Sequence, residues 1–278
     1  MLIRLVVNNI LSFGEEREFN QLPAPRLTRL DDHKYKLSDI EILKLSAIYG
    51  ANGAGKSNLI KIFQFLIHII NKGDIPLGLI DSKFKLSKQN ESLPQIIGIE
   101  YYYKNKTFYY GIEFDEGIIL TEELYITNSG KKDDQLLFER KNDENGNIIT
   151  KFNSDFENDN ESRTLKSVIE KSLAKPEQSI FKLLFELDNV FLSEIKEGYL
   201  WFKEKIQIIE PSSKPTGLAH LIDVDNTFKD FANKIMCSFG TGIKNIETEK
   251  KTLKEFFGDD EKYESISNPV DFCGKRCD

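Results

Sequence analysis

Apolar and polar residues alternate along this chain in two different periods. Residues 2–7, LIRLVV, are β-branched and apolar and predict a first strand, and NNILSFGEEREF continues it as a turn and a second, more polar strand. Residues 20–40 contain prolines and charges and read as a loop. The run ILKLSAIYG (42–50) is short, apolar and ends in glycine, the pattern of a buried parallel strand. Residues 57–73 place Leu59, Ile62, Phe63, Leu66, Ile69 and Ile70 three and four apart, which predicts a helix closed by Lys72 and Gly73. The period then shortens to two. IIGIEYYY (96–103), TFYYGIEF (107–114) and IILTEELYIT (118–127) are joined by KNK and DEG, and QLLFER and NIITKF follow around Asn145-Gly146. Connections that short predict an antiparallel meander.

Beyond it, the polar stretch 153–164 reads as a mobile loop or boundary. From about 165 the pattern is helical, with one more strand expected at IQIIEP (206–211), a helix at 226–240 and the start of another strand at TGIKNIETEKK. The end of the chain has no periodicity, and there is no internal repeat. The organisation expected is a nucleotide-binding lobe with the meander over 1–150, a mainly helical portion over 165–250 and an irregular tail over 251–278.

Composition narrows the picture. The chain has 278 residues, 40% hydrophobic and 30% charged, enough for one large domain or two small ones. The net charge of -7 argues against non-specific coating of polyanions, although a local basic groove stays compatible with it. Three cysteines, Cys237, Cys273 and Cys277, are too few and too odd for a disulfide framework. The Cys273/Cys277 pair has no further ligand near it in sequence for a metal. No window reaches the ~18 apolar residues that a membrane-spanning helix needs. No membrane partner and a cytoplasmic location are therefore expected.

Candidate chemistry concentrates at IYGANGAGKSNL (48–59). Gly50-Ala51-Asn52-Gly53-Ala54-Gly55-Lys56-Ser57 fits G-x-x-x-x-G-K-[ST] in full. Gly50, Gly53 and Gly55 permit backbone conformations that a β-carbon would crowd. The N–H groups of about 53–57, Ala54 included, then turn toward phosphate oxygens, and the positive end of the following helix adds to the attraction. Lys56 supplies a point charge for the β- and γ-phosphates, and Ser57 a hydroxyl for Mg²⁺. ATP with Mg²⁺ is the expected cofactor, held by Gly50 and residues 52–58, from Asn52 to Asn58.

With Asn52 and Asn58 flanking the loop, YGANGAGKSNL resembles the ABC-type ATPases of the SMC, RecF and OLD group, and most closely the AAA-type ATP-binding proteins of bacterial defence operons. IRLVVNNILSF, TFYYGIEFDEGIILTEELYI, WFKEKIQIIEP and GTGIKNIE are similar to further segments of that group, so the resemblance covers most of 1–250. It implies an α/β P-loop NTPase of ABC-ATPase-like fold, a homodimer closed by ATP, a partner effector, and a role in antiviral defence. It also implies that the segment of Asn9, Ser12 and Phe13 approaches the base and ribose, a plain strand-and-turn role being the open alternative.

The resemblance further requires a strand ending in Asp-Glu and a small-residue signature loop. Neither is evident. Asp223 and Asp225 in AHLIDVDN lie in what reads as a solvated loop; Glu210 lacks a preceding Asp; Glu186 and Asp188 sit in a helical pattern and face solvent; CSFGTG (237–242) falls at a helix end. The expectation is accordingly the N-terminal half of a longer ATPase, incomplete at its C-terminus and in need of a complementing half, with a non-hydrolysing regulatory subunit as the alternative. Gln89 and Gln95 are read as loop residues rather than as metal contacts. Tyr101, Tyr102, Tyr103, Tyr109 and Tyr110 are compatible with a base-stacking surface for nucleic acid, but alternation along a meander explains them without one.

Overall fold

The computed structural model describes residues 1–24, 31–37, 40–127, 133–143, 146–213, 217–240 and 242–249. Within them the chain separates into two units, Met1–Ile208 and Ile209–Asp278, and is mixed α/β. The first unit is built on a seven-stranded sheet. Its strands are β1 (Leu2–Asn8), β2 (Arg17–Asn20), β5 (Gln95–Tyr103), β6 (Lys106–Asp115), β7 (Ile118–Thr127), β8 (Gln135–Asn142) and β9 (Ile148–Phe152), in the order β2-β1-β5-β6-β7-β8-β9. Every ladder in it is antiparallel. β3 (Lys34–Lys36) and β4 (Glu41–Leu43) form a separate two-stranded ribbon. The meander predicted from the sequence is present, its strand ends shifted by a residue or two. Lys104 and Asn105 (φ 46° and 65°) and Glu116 and Gly117 (φ 48° and 83°) turn its first two corners. Paired left-handed residues of this kind match the twist of the strands that they join.

One face of the sheet is covered by helices. α1 (Lys56–Lys72) buries the six apolar residues that its sequence period singled out, and Gly73 closes it in the left-handed conformation (φ 91°). α5 (Ile180–Glu186) and α6 (Ser193–Glu204) complete the layer. The centre is aromatic. The Tyr101 ring stacks on Trp201 at 4.4 Å, and Phe181 lies 5.1 Å from Tyr110 and 5.4 Å from Tyr199. Gly198 lets α6 approach: a β-carbon there would lie 3.1 Å from the Tyr101 hydroxyl, which donates to the Gly198 carbonyl at 2.9 Å.

Several expectations need correction. Residues 42–50 do not form a buried parallel strand. β4 ends at Leu43, and Leu45 (80% exposed) and Tyr49 (92%) lie in the open, because no described strand runs beside them. The polar stretch 153–164 is not a loop. It carries α3 (Ser154–Asn158) and α4 (Asn160–Val168), capped by the Asn153 and Asp159 side chains, which accept from Phe156 and Ser162 N–H. A π-helical turn, Ile169–Leu173, follows. The presumed loop 20–40 includes β3, and 206–210 and 242–249 are irregular where strands were expected. Residues 25–30, 38–39, Asn145 of the predicted Asn-Gly turn and the tail 251–278 with Cys273 and Cys277 lie outside the described residues.

In the second unit, α7 (Leu218–Val224) occupies the segment read as a solvated loop, and α8 (Asn226–Ser238) forms as predicted. α2 (Leu77–Ile80) is one turn long and belongs to the first unit.

Phe181→Ala removes the ring shared by four aromatic neighbours, Tyr110, Phe138, Tyr199 and Phe202. We expect it to lower unfolding free energy by about 3–5 kcal/mol, read as a shift of the urea midpoint.

Candidate functional site

The glycine-rich loop leads straight into α1. Gly53 and Gly55 both take positive φ (83° and 92°), and Gly55 is the residue before the helix, with no side chain capping the helix end. Leu59 N–H finds its acceptor in the Gly55 carbonyl at 3.1 Å. The amides ahead of it head the helix without intrahelical acceptors, at the positive end of the helix dipole. One further bond, Ala54 N–H to the Ala51 carbonyl at 3.2 Å, tightens the loop. Asn52, Gly53, Ala54 and Ser57 are exposed, and Gly55, Lys56 and Asn58 are half-buried.

Lys56 folds back over the loop. Its ammonium donates to the Gly50 carbonyl at 2.7 Å and to the Ala51 carbonyl at 2.8 Å. A cation held by two neutral carbonyls at the rim of a ring of amides is poised for an anion, because a phosphate offers it a charge-assisted partner instead. The donor set fits a polyphosphate: exposed backbone amides, a helix N-terminus, one lysine ammonium, and Ser57 in the first helical turn for a hard divalent ion.

Gly55 also decides what lies next to the loop. A β-carbon there would meet the Ser12 hydroxyl at 2.6 Å and the Phe13 ring at 3.7 Å, so the loop backbone rests on the turn between β1 and β2. Ser12 and Phe13 in turn line an open cavity of about 610 Å³, with Arg17, Phe84, Gln89 and Asn90 among its other walls.

A pair of buried asparagines builds that cavity. Asn9 (φ 54°) donates from Nδ2 to the Asn90 and Leu93 carbonyls, both at 2.8 Å, and accepts from Phe84 N–H at 3.2 Å. Asn90 returns a bond to the Gly14 carbonyl at 2.6 Å. Gly14 has no alternative, since a β-carbon would fall 2.5 Å from the Phe84 ring. Each asparagine thus replaces backbone pairing that an irregular buried turn would otherwise lack.

The two glutamines part company. Gln89 is exposed in a 3-10 turn (Lys88–Ser92) at the cavity, as a loop residue should be. Gln95 is not in a loop: it opens β5, is fully buried, and donates to the Leu79 carbonyl and the Ser82 hydroxyl. Glu186 and Asp188 face solvent as expected. Asp225 caps α8, accepting from Thr227 and Phe228 N–H, and Asp223 accepts from Thr248 Oγ1 at 3.3 Å. Among the described residues no group of three His, Cys, Asp or Glu is arranged to hold a metal ion. The tyrosines do not form a stacking surface. Tyr101 and Tyr110 are wholly buried, which pushes their pKa well up, and Tyr103 is 8% exposed, while Tyr102 and Tyr109 lie on the other face of the sheet.

The family model described as "AAA domain, putative AbiEii toxin, Type IV TA system" matches residues 45–243. The chain belongs to this family. The match makes it an ATP-binding P-loop protein of AAA type, in a family linked by its description to toxin–antitoxin and abortive-infection systems. No curated protein matches the chain. The matched span begins at the exposed run before the loop, so the β1–β2 turn that the AAA-domain chain lays against Gly55 lies ahead of it. No described helix of this AAA-domain chain is long and apolar enough to cross a membrane.

Sequence reading found the loop and missed Asn9 and Asn90 as the framework of the cavity. The signal available was Asn8-Asn9 at a strand end, a site where left-handed backbone favours asparagine. We expect Asn9→Ala to cost about 1–3 kcal/mol, because it removes the side-chain acceptor of the Phe84 amide and the donor to the Asn90 and Leu93 carbonyls. Chemical denaturation measures the loss, and faster proteolysis within 84–93 locates it.

Proposed function

We propose that this protein binds Mg·ATP at the loop, with Gly50 and the stretch from Asn52 to Asn58 around the phosphates and the nucleoside directed into the cavity beside Ser12 and Phe13. The observation that carries this reading is the Lys56 ammonium held on two loop carbonyls at the open N-terminus of α1. In this reading Lys56 exchanges the Gly50 and Ala51 carbonyls for phosphate oxygens, Ser57 ligates Mg²⁺, and Gly53 and Gly55 keep the amides free of β-carbons. Bound Mg·ATP supplies a polyanion whose terminal phosphoryl group is activated for transfer.

The finer reading is an ABC-type ATPase of the SMC, RecF and OLD group, in which nucleotide closes two ATPase halves and controls a partner effector in defence. The exposed apolar run before the loop supports a complementing half: Leu45, Ile48 and Tyr49 form a strand-like sequence, at 80%, 44% and 92% exposure, leading into the site. Apolar side chains on such a segment invite an added strand. The residues that orient water and fix the metal are then supplied by that half. A nucleic-acid module is the less favoured reading, given the net charge of -7 and the burial of Tyr101 and Tyr110.

Lys56→Ala should leave circular dichroism unchanged and weaken Mg·ATP binding by about 1.5–3 kcal/mol, roughly 10- to 150-fold. Isothermal titration decides it, and unchanged affinity in a folded variant would sink the proposal. Ser57→Ala should flatten the Mg²⁺ dependence of binding more than it lowers affinity for the nucleotide, since the backbone cradle remains. Titrating Mg²⁺ at fixed ATP makes the comparison, and identical curves for the two proteins count against Ser57 as the ligand.

A further inference from the structure

The far end of α1 is tied to a buried ionic cluster that the nucleotide site does not use. After Gly73, Asp74 bridges to Gln178, and Ser179 N–H donates to the Gly73 carbonyl at 2.7 Å. The Ser179 hydroxyl donates onward to Glu122 Oε1 at 2.5 Å, which also receives the Tyr110 hydroxyl at 2.9 Å. Glu122 Oε2 accepts Ile180 N–H at 2.9 Å, in the first turn of α5. Glu122, from the middle of β7, and Arg140, from β8, are both fully buried.

The two charges do not pair closely. Arg140 Nη1 stands 3.9 Å from Glu122 Oε2. The guanidinium instead donates to the carbonyls of Lys175, Pro176 and Gln178, at 3.0, 3.2 and 2.9 Å, and its Nε has no hydrogen-bond partner among the described residues. Burial pulls the Arg140 pKa below its ordinary value, against the pull of Glu122. A buried carboxylate and guanidinium normally gain most from bidentate contact. Here the segment between the π-helical turn and α5 holds them apart by taking a bond from each.

We propose that residues 174–181 are a latch, with Glu122 and Arg140 as its catch, which transmits the position of the α1 C-terminus to α5 and α6. α1 spans 17 residues, about 25 Å at 1.5 Å per residue, with the candidate phosphate site at one end and Gly73 at the other. A regular helix passes a displacement of one end to the other, and Gly73–Ser179 is the link by which the latch feels it. α5 begins at Ile180, inside the latch, and packs on α6, so a seated latch orders both.

This rests on the reading of the loop as a nucleotide site, and hydrogen exchange of the full chain with and without Mg·ATP separates the two. Peptides over 50–58 report the loop, and peptides over 174–186 report the latch. In the wild type, Mg·ATP should slow exchange in both, by about fivefold or more at the latch. Ser179→Ala removes the hydroxyl link to Glu122; it should keep the slowing at 50–58 and lose it at 174–186, and Ser179→Thr should restore it. Equal slowing at 174–186 in wild type and Ser179→Ala overturns the latch. So does slowing at 50–58 alone in the wild type, a result that needs no variant to fold. No slowing at 50–58 in the wild type overturns the nucleotide reading, and the latch with it.

Discussion

The Gly55 backbone lies against the Ser12 side chain, at a distance that leaves no room for a β-carbon. Two structures otherwise far apart in sequence meet there: the loop that opens α1, and the turn that joins the first two strands. The loop is fixed from behind by α1, whose apolar stripe is buried on the sheet. The turn is fixed by Asn9 and Asn90, fully and almost fully buried. Neither side can shift far without emptying a core position or orphaning buried amides. The cavity keeps its place beside the loop for that reason.

What was legible in the sequence was what depends on neighbours close along the chain. The meander could be read because its strands alternate with period two and its first two corners are two residues long, so each strand pairs with the next. α1 could be read because its period, its closing glycine and its leading loop are all local. ILKLSAIYG has the composition of a buried strand, but a strand exists only where another supplies its hydrogen bonds, and no sequence window contains that information. The stretch 153–164 looked too polar for structure; yet Asn153 and Asp159 are helix caps, Lys166 is paired with Glu157, and only Phe156 and Ser162 turn inward. Its polarity marks two short helix starts in succession. In the candidate site, the loop was legible residue by residue, whereas the asparagine framework depends on contacts spanning about eighty positions.

The buried charges of the sheet show a different economy. Glu122, at the middle of β7, and Arg140, near the end of β8, are both fully buried where apolar residues would serve stability as well or better. Their hydrogen bonds go chiefly to backbone groups of one segment, 175–181. What they provide is therefore a defined seat for that segment, a matter of specificity more than of strength.

The strand order has a consequence for how the chain is made. β1 pairs with β2 a few residues on, but its other edge pairs with β5, so that Leu5 waits for Ile99. During synthesis α1 and its apolar stripe leave the ribosome before the strand that completes their sheet exists. The hairpins from β5 to β9 then close in quick succession, each within a few tens of residues, as local antiparallel pairs do. The N-terminal third of the molecule is thus held open the longest, with an amphipathic helix uncovered. In the cell that interval is when a chaperone has the most to bind.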